Sequence, residues 1–190
     1  MLNKTKFSLL LIFALALFTY KTVAQSFTPG EMITLNVSFY SLIATNNAPV
    51  NLVLSSSTAG APVTSVSNSD MYVKISSLVP GGTHREISAR IASGTVPPGT
   101  KLTLVSAPCT TTNSGGVLGT AFTTPILLDG IDKELVDLIG SCYTGTGSTD
   151  GYRLTYTWSR DTSQDYGLLQ ATQTPAAITV VLTLTAHDSN

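Results

Sequence analysis

Charge is scarce in this sequence. Only 11% of the 190 residues are Asp, Glu, Lys or Arg, and the formal net charge is −1, whereas soluble domains usually carry about 25% charged residues. Nucleic-acid binding needs a cationic surface that displaces counterions from phosphates, so this composition excludes a polybasic nucleic-acid binder. Serine and threonine take the place of charges, and hydroxyls beside β-branched residues suit the half-buried surface of a β-sheet.

Signals for catalysis are scarce as well. The two histidines are His84, beside a glycine turn, and His187, in an expected frayed tail, and no Gly-x-Ser-x-Gly sequence would expose a nucleophilic serine. The glycine-rich stretch 145–151 lacks the lysine of a P-loop. The two cysteines and the distant histidines lack close metal-ligand spacing. We therefore expect no catalytic residue, no cofactor, no metal site and no enzymatic activity.

Acidic residues are concentrated in one short segment, which contains Asp129, Asp132, Glu134 and Asp137. One interpretation is a pair of glycosidase carboxylates, which flank a single bond as acid and base. The other, which we prefer, is a set of acids at a helix N-terminus, where they meet the positive end of the helix dipole.

One long apolar run is present, over residues 7–18, behind the basic residues Lys4 and Lys6, and residues 22–24 then place small side chains at the positions that a signal peptidase recognises. This order is typical of an export signal that is cut between Ala24 and Gln25. The alternative is a membrane anchor, but as a helix the run would rise about 18 Å, too short for a hydrocarbon core of about 30 Å.

The domain organisation follows from this signal. We expect residues 1–24 to be a cleaved signal peptide and residues 25–190 to form a single secreted domain in the periplasm, on the cell surface or outside the cell. The mature chain has no second run of spanning length, so no transmembrane segment is expected there. Cys109 and Cys142 agree with an oxidising compartment, and we expect a disulfide between them; two buried free thiols are the alternative.

Alternation of apolar and polar residues predicts strands along most of the mature chain. The runs lie at 33–39, 50–54, 71–76, 87–91, 101–105, 122–128, 152–158 and 178–185. Every second side chain of such a run faces the same side, as in a strand with one buried face. Turn residues separate the runs at a spacing typical of an all-β sandwich or barrel.

One segment departs from this period. Over residues 131–139 the apolar positions Ile131, Leu135, Leu138 and Ile139 follow helical offsets. Gly140 could end such a helix. We therefore predict a short helix at about 131–139 that plugs one end of the sandwich.

Aromatic residues offer few candidate contacts. Tyr152, Tyr156 and Trp158 share one face of a predicted strand. They could stack on a sugar, but aromatic side chains dominate cores, and we prefer a core position for them. Tyr143 and Tyr166 lie near predicted loops and are the candidate ligand contacts.

The mature chain resembles small bacterial secreted β-sandwich proteins, of which fimbrial subunits and spore-coat-U-like proteins are examples. The features that carry the resemblance are the signal, the Ser/Thr-rich alternating strands, the cysteine pair and the last strand, residues 177–185. It implies an immunoglobulin-like sandwich and assembly by strand exchange. Residues 25–32 would make a poor donor strand, whereas residues 33–39 could be a donor and would then be missing from their own sheet.

We accordingly expect an all-β protein, an antiparallel β-sandwich of immunoglobulin-like or jelly-roll type with one short helix. Its expected function is that of a non-enzymatic structural or adhesive surface protein, such as a fimbria-like or coat subunit. Its partners would be itself or other surface subunits, bound through strand edges. The alternative is a carbohydrate- or cell-wall-binding module whose glycan ligand contacts Tyr143 and Tyr166.

Overall fold

The computed structural model describes residues 33–187. The predicted signal peptide and its cut between Ala24 and Gln25 lie outside these residues. The chain divides into a short unit that ends at Asn36 and a compact unit that begins at Val37. All the strands below belong to the second unit.

Eleven strands and one turn of 3-10 helix are formed by the described residues. In chain order they are β1 (Tyr40–Thr45), β2 (Val66–Leu78), β3 (His84–Ser93), β4 (Thr100–Ser106), β5 (Gly115–Gly116), β6 (Thr120–Ala121), β7 (Ile126–Leu127), β8 (Lys133–Ile139), β9 (Cys142–Tyr143), β10 (Tyr152–Arg160), the 3-10 turn (Tyr166–Leu168) and β11 (Thr179–His187).

The strands form two antiparallel sheets. The larger sheet has the order β5-β9-β2-β10-β4-β7, and β1 also pairs with β2. The smaller sheet has the order β11-β3-β8-β6. This two-sheet, all-β architecture confirms the fold class predicted from the sequence.

The core is built from the facing sides of both sheets. The larger sheet contributes Val73, Leu104 and Tyr152, and the smaller sheet contributes Ile87 and Leu135, each at most 1% exposed. These residues belong to one continuous apolar cluster. Burial of a large apolar side chain stabilises the fold by about 1.5–3 kcal/mol, so contact across the two sheets is the main source of stability.

Most of the alternating runs become strands as predicted. The run at 152–158 lies in β10, where Tyr152, Leu154 and Tyr156 are buried and Arg153 is exposed. The runs at 71–76, 87–91, 101–105 and 178–185 lie almost wholly in β2, β3, β4 and β11. The run at 122–128 gives only the short strand β7, after β6.

The predicted helix at 131–139 is wrong, because most of this segment forms strand β8. The pairing of β3 with β8 shifts register twice, and Leu138 has a positive φ of 57°. Such bulges place extra residues on one strand and break the two-residue alternation. The neighbours Leu135 and Val136 are both buried, while Ile131 and Leu138 are exposed. The resulting spacing of apolar residues along the sequence is the same as that of an amphipathic helix.

Two predicted strands do not form. Residues 33–39 and 50–54 pair with no strand among the described residues, and the first strand begins only at Tyr40. The two segments differ in burial: 33–39 is exposed on both faces, whereas Val50 and Leu52 pack against the core.

Over residues 33–187, no helix has both the length and the apolar character required to cross a bilayer.

Candidate functional site

One edge of the sandwich is open. Strand β11 is the end strand of the smaller sheet, and β3 is its one partner among the described residues. On the larger sheet β1 likewise pairs with β2 alone. The backbone groups of β11 that face away from β3 are thus available to another strand, as at any unprotected sheet edge.

A cavity of about 860 Å³ lies behind this edge, between the two sheets. The larger sheet lines it with Met71, Leu102 and Tyr156, and β11 lines it with Val180 and Leu182. Protein interiors are close-packed and leave few voids larger than a water molecule. A space of this size at the edge of a sandwich therefore marks a place where the core lacks a packing partner.

Two loops cover part of the cavity. Residues Val50, Leu52 and Leu54 extend over it from one side, and Pro175 and Ala176 approach from the loop before β11. The 50–54 segment keeps the alternation of a strand, since its odd positions are exposed and its even positions are half-buried. It pairs with no strand among the described residues, and β11 keeps β3 as its one strand partner there.

The segment before β1 presents unburied apolar side chains. Ile33, Leu35, Val37 and Phe39 are 73–88% exposed. Alternation with polar residues would place all four on one face of an extended strand. An exposed apolar set of this regularity is unusual, because apolar residues on a surface normally occur singly.

The aromatic residues of β10 are in the core, as predicted. Tyr152 and Tyr156 are buried, and Trp158 packs against the core cluster. The Tyr156 hydroxyl lies 3.8 Å from the Met71 sulfur, and burial raises the pKa of Tyr156 to about 12. The Trp158 Nε1 atom is buried and has no hydrogen-bond partner. The lining of the cavity is therefore mixed, since Thr45, Gln173 and Thr179 lie beside its apolar side chains.

The two candidate ligand contacts lie far apart. Tyr143 lies in β9 and pairs with Ser76 of β2, near the end of the sheet where β10 begins. Tyr166 lies near the other end of β10, where its ring centre is 5.0 Å from the guanidinium carbon of Arg160, the last residue of that strand. Both tyrosines are exposed. A nine-residue strand spans about 30 Å, so the two rings do not form a single stacking platform.

The cysteines are not bonded to each other in this structure. Cys142 is buried and Cys109 is half-buried. Burial, and after it the nearby Cys109, raises the pKa of Cys142 to about 11. Both cysteines also contribute, after burial, to a raised pKa of Tyr152. The two thiols and this phenol therefore share one region at the start of β10.

Reduced protein should show unequal thiol reactivity. Since the thiolate is the nucleophile and Cys142 is buried with a raised pKa, we expect iodoacetamide at pH 8 to label Cys109 at least about tenfold faster than Cys142. Peptide mass spectrometry after timed quenching measures the two rates. Equal labelling rates for Cys109 and Cys142 in the folded protein would contradict the buried position of Cys142 in β9.

The acidic segment is not a helix N-terminus. The Asp129 Oδ1 atom accepts a hydrogen bond from the Ile131 backbone N–H at 2.8 Å, and its other oxygen lies 3.5 Å from Lys133 Nζ. Asp132 lies 3.6 Å from Arg90. These two acids therefore stabilise a turn and a strand surface, and the helix-dipole interpretation is wrong.

The sequence predicted binding through strand edges, but it did not show which edge is open or that a cavity lies behind it. Neither feature has a local signal, because each depends on which strands pair. The one feature of the sequence that bears on the open edge is the alternation at 33–39. This alternation predicts a strand, but it does not show whether the partner strand belongs to the same chain or to another copy.

Comparison with protein-family models, with curated proteins and with solved structures finds no match for this chain.

Proposed function

We propose that this chain is an exported, non-enzymatic structural or adhesive surface protein that assembles by strand addition, as a coat or fimbria-like subunit. The observation that carries the proposal is the exposed apolar face of residues 33–39. In the assembly, this segment of one copy lies along the free edge of β11 in the next copy.

The physical reason is that both partners are incomplete alone. The segment exposes Leu35 and Val37 to water, and full burial of each such side chain stabilises a contact by about 1.5–3 kcal/mol. The β11 edge offers unpaired backbone groups, and an added strand satisfies them.

The cavity supplies the specificity. A strand added beside β11 places every second side chain between the two sheets, next to Val180 and Leu182. Leu35 and Val37 would then occupy part of the space of about 860 Å³. The polar residues of the segment, Asn36 and Ser38, would face outward.

The test compares two variants of the same segment. In Leu35→Asp/Val37→Asp the apolar face carries two charges; in the matched control Asn36→Asp/Ser38→Asp the same charges lie on the polar face. We expect the exported wild type and the control to form higher oligomers by size-exclusion chromatography with light scattering, and filaments or sheets by electron microscopy. The Leu35→Asp/Val37→Asp variant should be monomeric.

Folding does not confound this comparison. The segment is exposed in the single chain, so we expect either variant to change the free energy of unfolding by less than about 0.5 kcal/mol. A wild type that stays monomeric at every concentration would contradict the proposal. So would a Leu35→Asp/Val37→Asp variant that assembles as well as the control.

Export and oxidation complete the proposal. Cleavage between Ala24 and Gln25 would leave Gln25 as the first residue of the secreted protein. In an oxidising compartment Cys109 and Cys142 would form a disulfide, for which the support is their shared surroundings near Tyr152. The intact mass of the exported protein tests both points, because it reports the cut and the loss of two hydrogens together.

A further inference from the structure

Three strands of the smaller sheet bring metal-ligating side chains together. Glu86 lies in β3, Glu134 in β8 and His187 at the end of β11. One ligand atom of each lies within 4.8 Å of the others. Glu86 alternates with the core residue Ile87 along β3, so the cluster lies on the sheet face opposite the core. His187 is not in a frayed tail, as the sequence suggested, but in the β11 ladder opposite His84.

Contacts within the cluster are close. The His187 Nδ1 atom lies 2.9 Å from Glu86 Oε2 and 3.6 Å from Asp137 Oδ1. The Thr185 hydroxyl donates a hydrogen bond of 3.3 Å to the other oxygen of Glu86. A single imidazole thus faces the carboxylates of Glu86, Glu134 and Asp137.

Among the described residues, His187 is the one basic side chain paired with the carboxylates of the cluster. Within residues 33–187 the Lys and Arg ion pairs are Arg90–Asp132 and Lys133–Asp129, and neither includes a carboxylate of the cluster. Three carboxylates thus face one imidazole. A bound cation would balance the negative charge that remains.

One carboxylate oxygen also lacks a partner. Glu134 Oε1 is buried and accepts no hydrogen bond. A buried polar atom without a partner costs about 1–3 kcal/mol, and more when it is charged. Such atoms in folded proteins call for an explanation, and an ion at the site is one.

We propose that Glu86, Glu134 and His187 bind a divalent transition-metal ion, with Zn²⁺ as the first choice. Imidazole nitrogen together with carboxylate oxygen is a typical zinc ligand set, with metal–ligand distances of about 2.0–2.2 Å. Ca²⁺ and Mg²⁺ prefer oxygen ligands throughout, so the histidine favours zinc. This inference replaces the expectation of no metal site, and it does not rest on the proposed assembly.

A second histidine lies on the same sheet face. His84 is the direct partner of His187 in the β3–β11 register, and directly opposed residues of antiparallel strands share a face at Cβ distances of about 4.5–5.5 Å. The ion would tie the edge strand β11 to β3 and β8. A ligand that binds the folded state alone stabilises it, so the site would hold this edge in place.

The experiment uses the full exported chain, treated with EDTA and then titrated with ZnCl₂. We expect one Zn²⁺ per chain by isothermal titration calorimetry and, at saturating ZnCl₂, a rise in Tm of at least about 5 °C. MgCl₂ and CaCl₂ should give no comparable shift.

Three variants locate the ligands. Loss of a group that merely supports a ligand costs about 10–100-fold in metal affinity, so Glu134→Gln and His187→Gln should each weaken Zn²⁺ binding at least about tenfold. The matched control Asp132→Asn, an acid in the segment just before β8, should bind as the wild type does. The wild type with Co²⁺ should show tetrahedral d–d absorption without a thiolate charge-transfer band, which tests the ligand set even if a variant fails to fold.

Two results would overturn the proposal. One is no heat and no Tm shift with ZnCl₂ up to about 1 mM, the weak limit of specific binding. The other is Zn²⁺ binding that survives Glu134→Gln and His187→Gln but is lost in Cys109→Ser/Cys142→Ser, because the thiols would then be the ligands.

Discussion

Replacing Leu104 by alanine is expected to lower the free energy of unfolding by about 3–4 kcal/mol. Leu104 lies in β4, is fully buried, and belongs to the cluster that both sheets share. Removal of its side chain leaves a cavity in the middle of that contact, and a domain of this size has only about 5–15 kcal/mol of stability in total. A chain of this length should therefore lose about 10 °C in Tm.

The matched control is Leu127→Ala. Leu127 is also a leucine of the larger sheet, in the strand next to β4, but it is 53% exposed. We expect its substitution to change the unfolding free energy by less than about 0.5 kcal/mol. Urea unfolding followed by circular dichroism measures both variants. Equal losses in the two would contradict the assignment of the core to the facing sides of the sheets.

Reduction of the exported protein is expected to have a similarly large effect. A Cys109–Cys142 bond would close the loop that contains β5 to β8, and the chain-entropy model gives such a closure about 4 kcal/mol of stabilisation. Urea unfolding with and without a phosphine reductant should therefore show a loss of about 3–4 kcal/mol on reduction.

A cysteine-free variant is the control for this effect. Cys109→Ser/Cys142→Ser should be insensitive to the reductant and about as stable as the reduced wild type. Two reactive thiols per chain in the denatured, unreduced exported protein would contradict the disulfide. A reductant effect that persists in the serine variant would show that the reductant acts elsewhere.

Alternation predicted the strands that bury one face within the chain. In β10 the two-residue period matches the burial from Tyr152 to Tyr156, where buried residues alternate with more exposed ones. It failed for residues 133–139, where the bulges opposite Ile87 and the positive φ of Leu138 put apolar residues at helical offsets. A bulge depends on the partner strand, so one segment read alone cannot reveal it.

The candidate sites were less accessible to sequence analysis, because they depend on distant pairings. Glu86 and His187 are 101 residues apart in the chain and 2.9 Å apart in space. The acidic segment was noticed and the last strand was predicted, but that strand was expected to end before His187. The exposed segment 33–39 was predicted as a strand, either of its own sheet or donated to another copy. Alternation shows that one face of a strand is to be buried, but it does not identify the partner strand.

Hydrogen–deuterium exchange of β11 tests the central claim most directly. The measurement compares assembled wild type with the monomeric Leu35→Asp/Val37→Asp variant, and β6, at the opposite edge of the same sheet, is the internal reference. We predict that the β11 amides facing away from β3 exchange at least about tenfold more slowly in the assembly, while β6 is unchanged. Exchange in β11 that is the same in both samples, or protection that appears at β6 instead, would contradict strand addition at this edge.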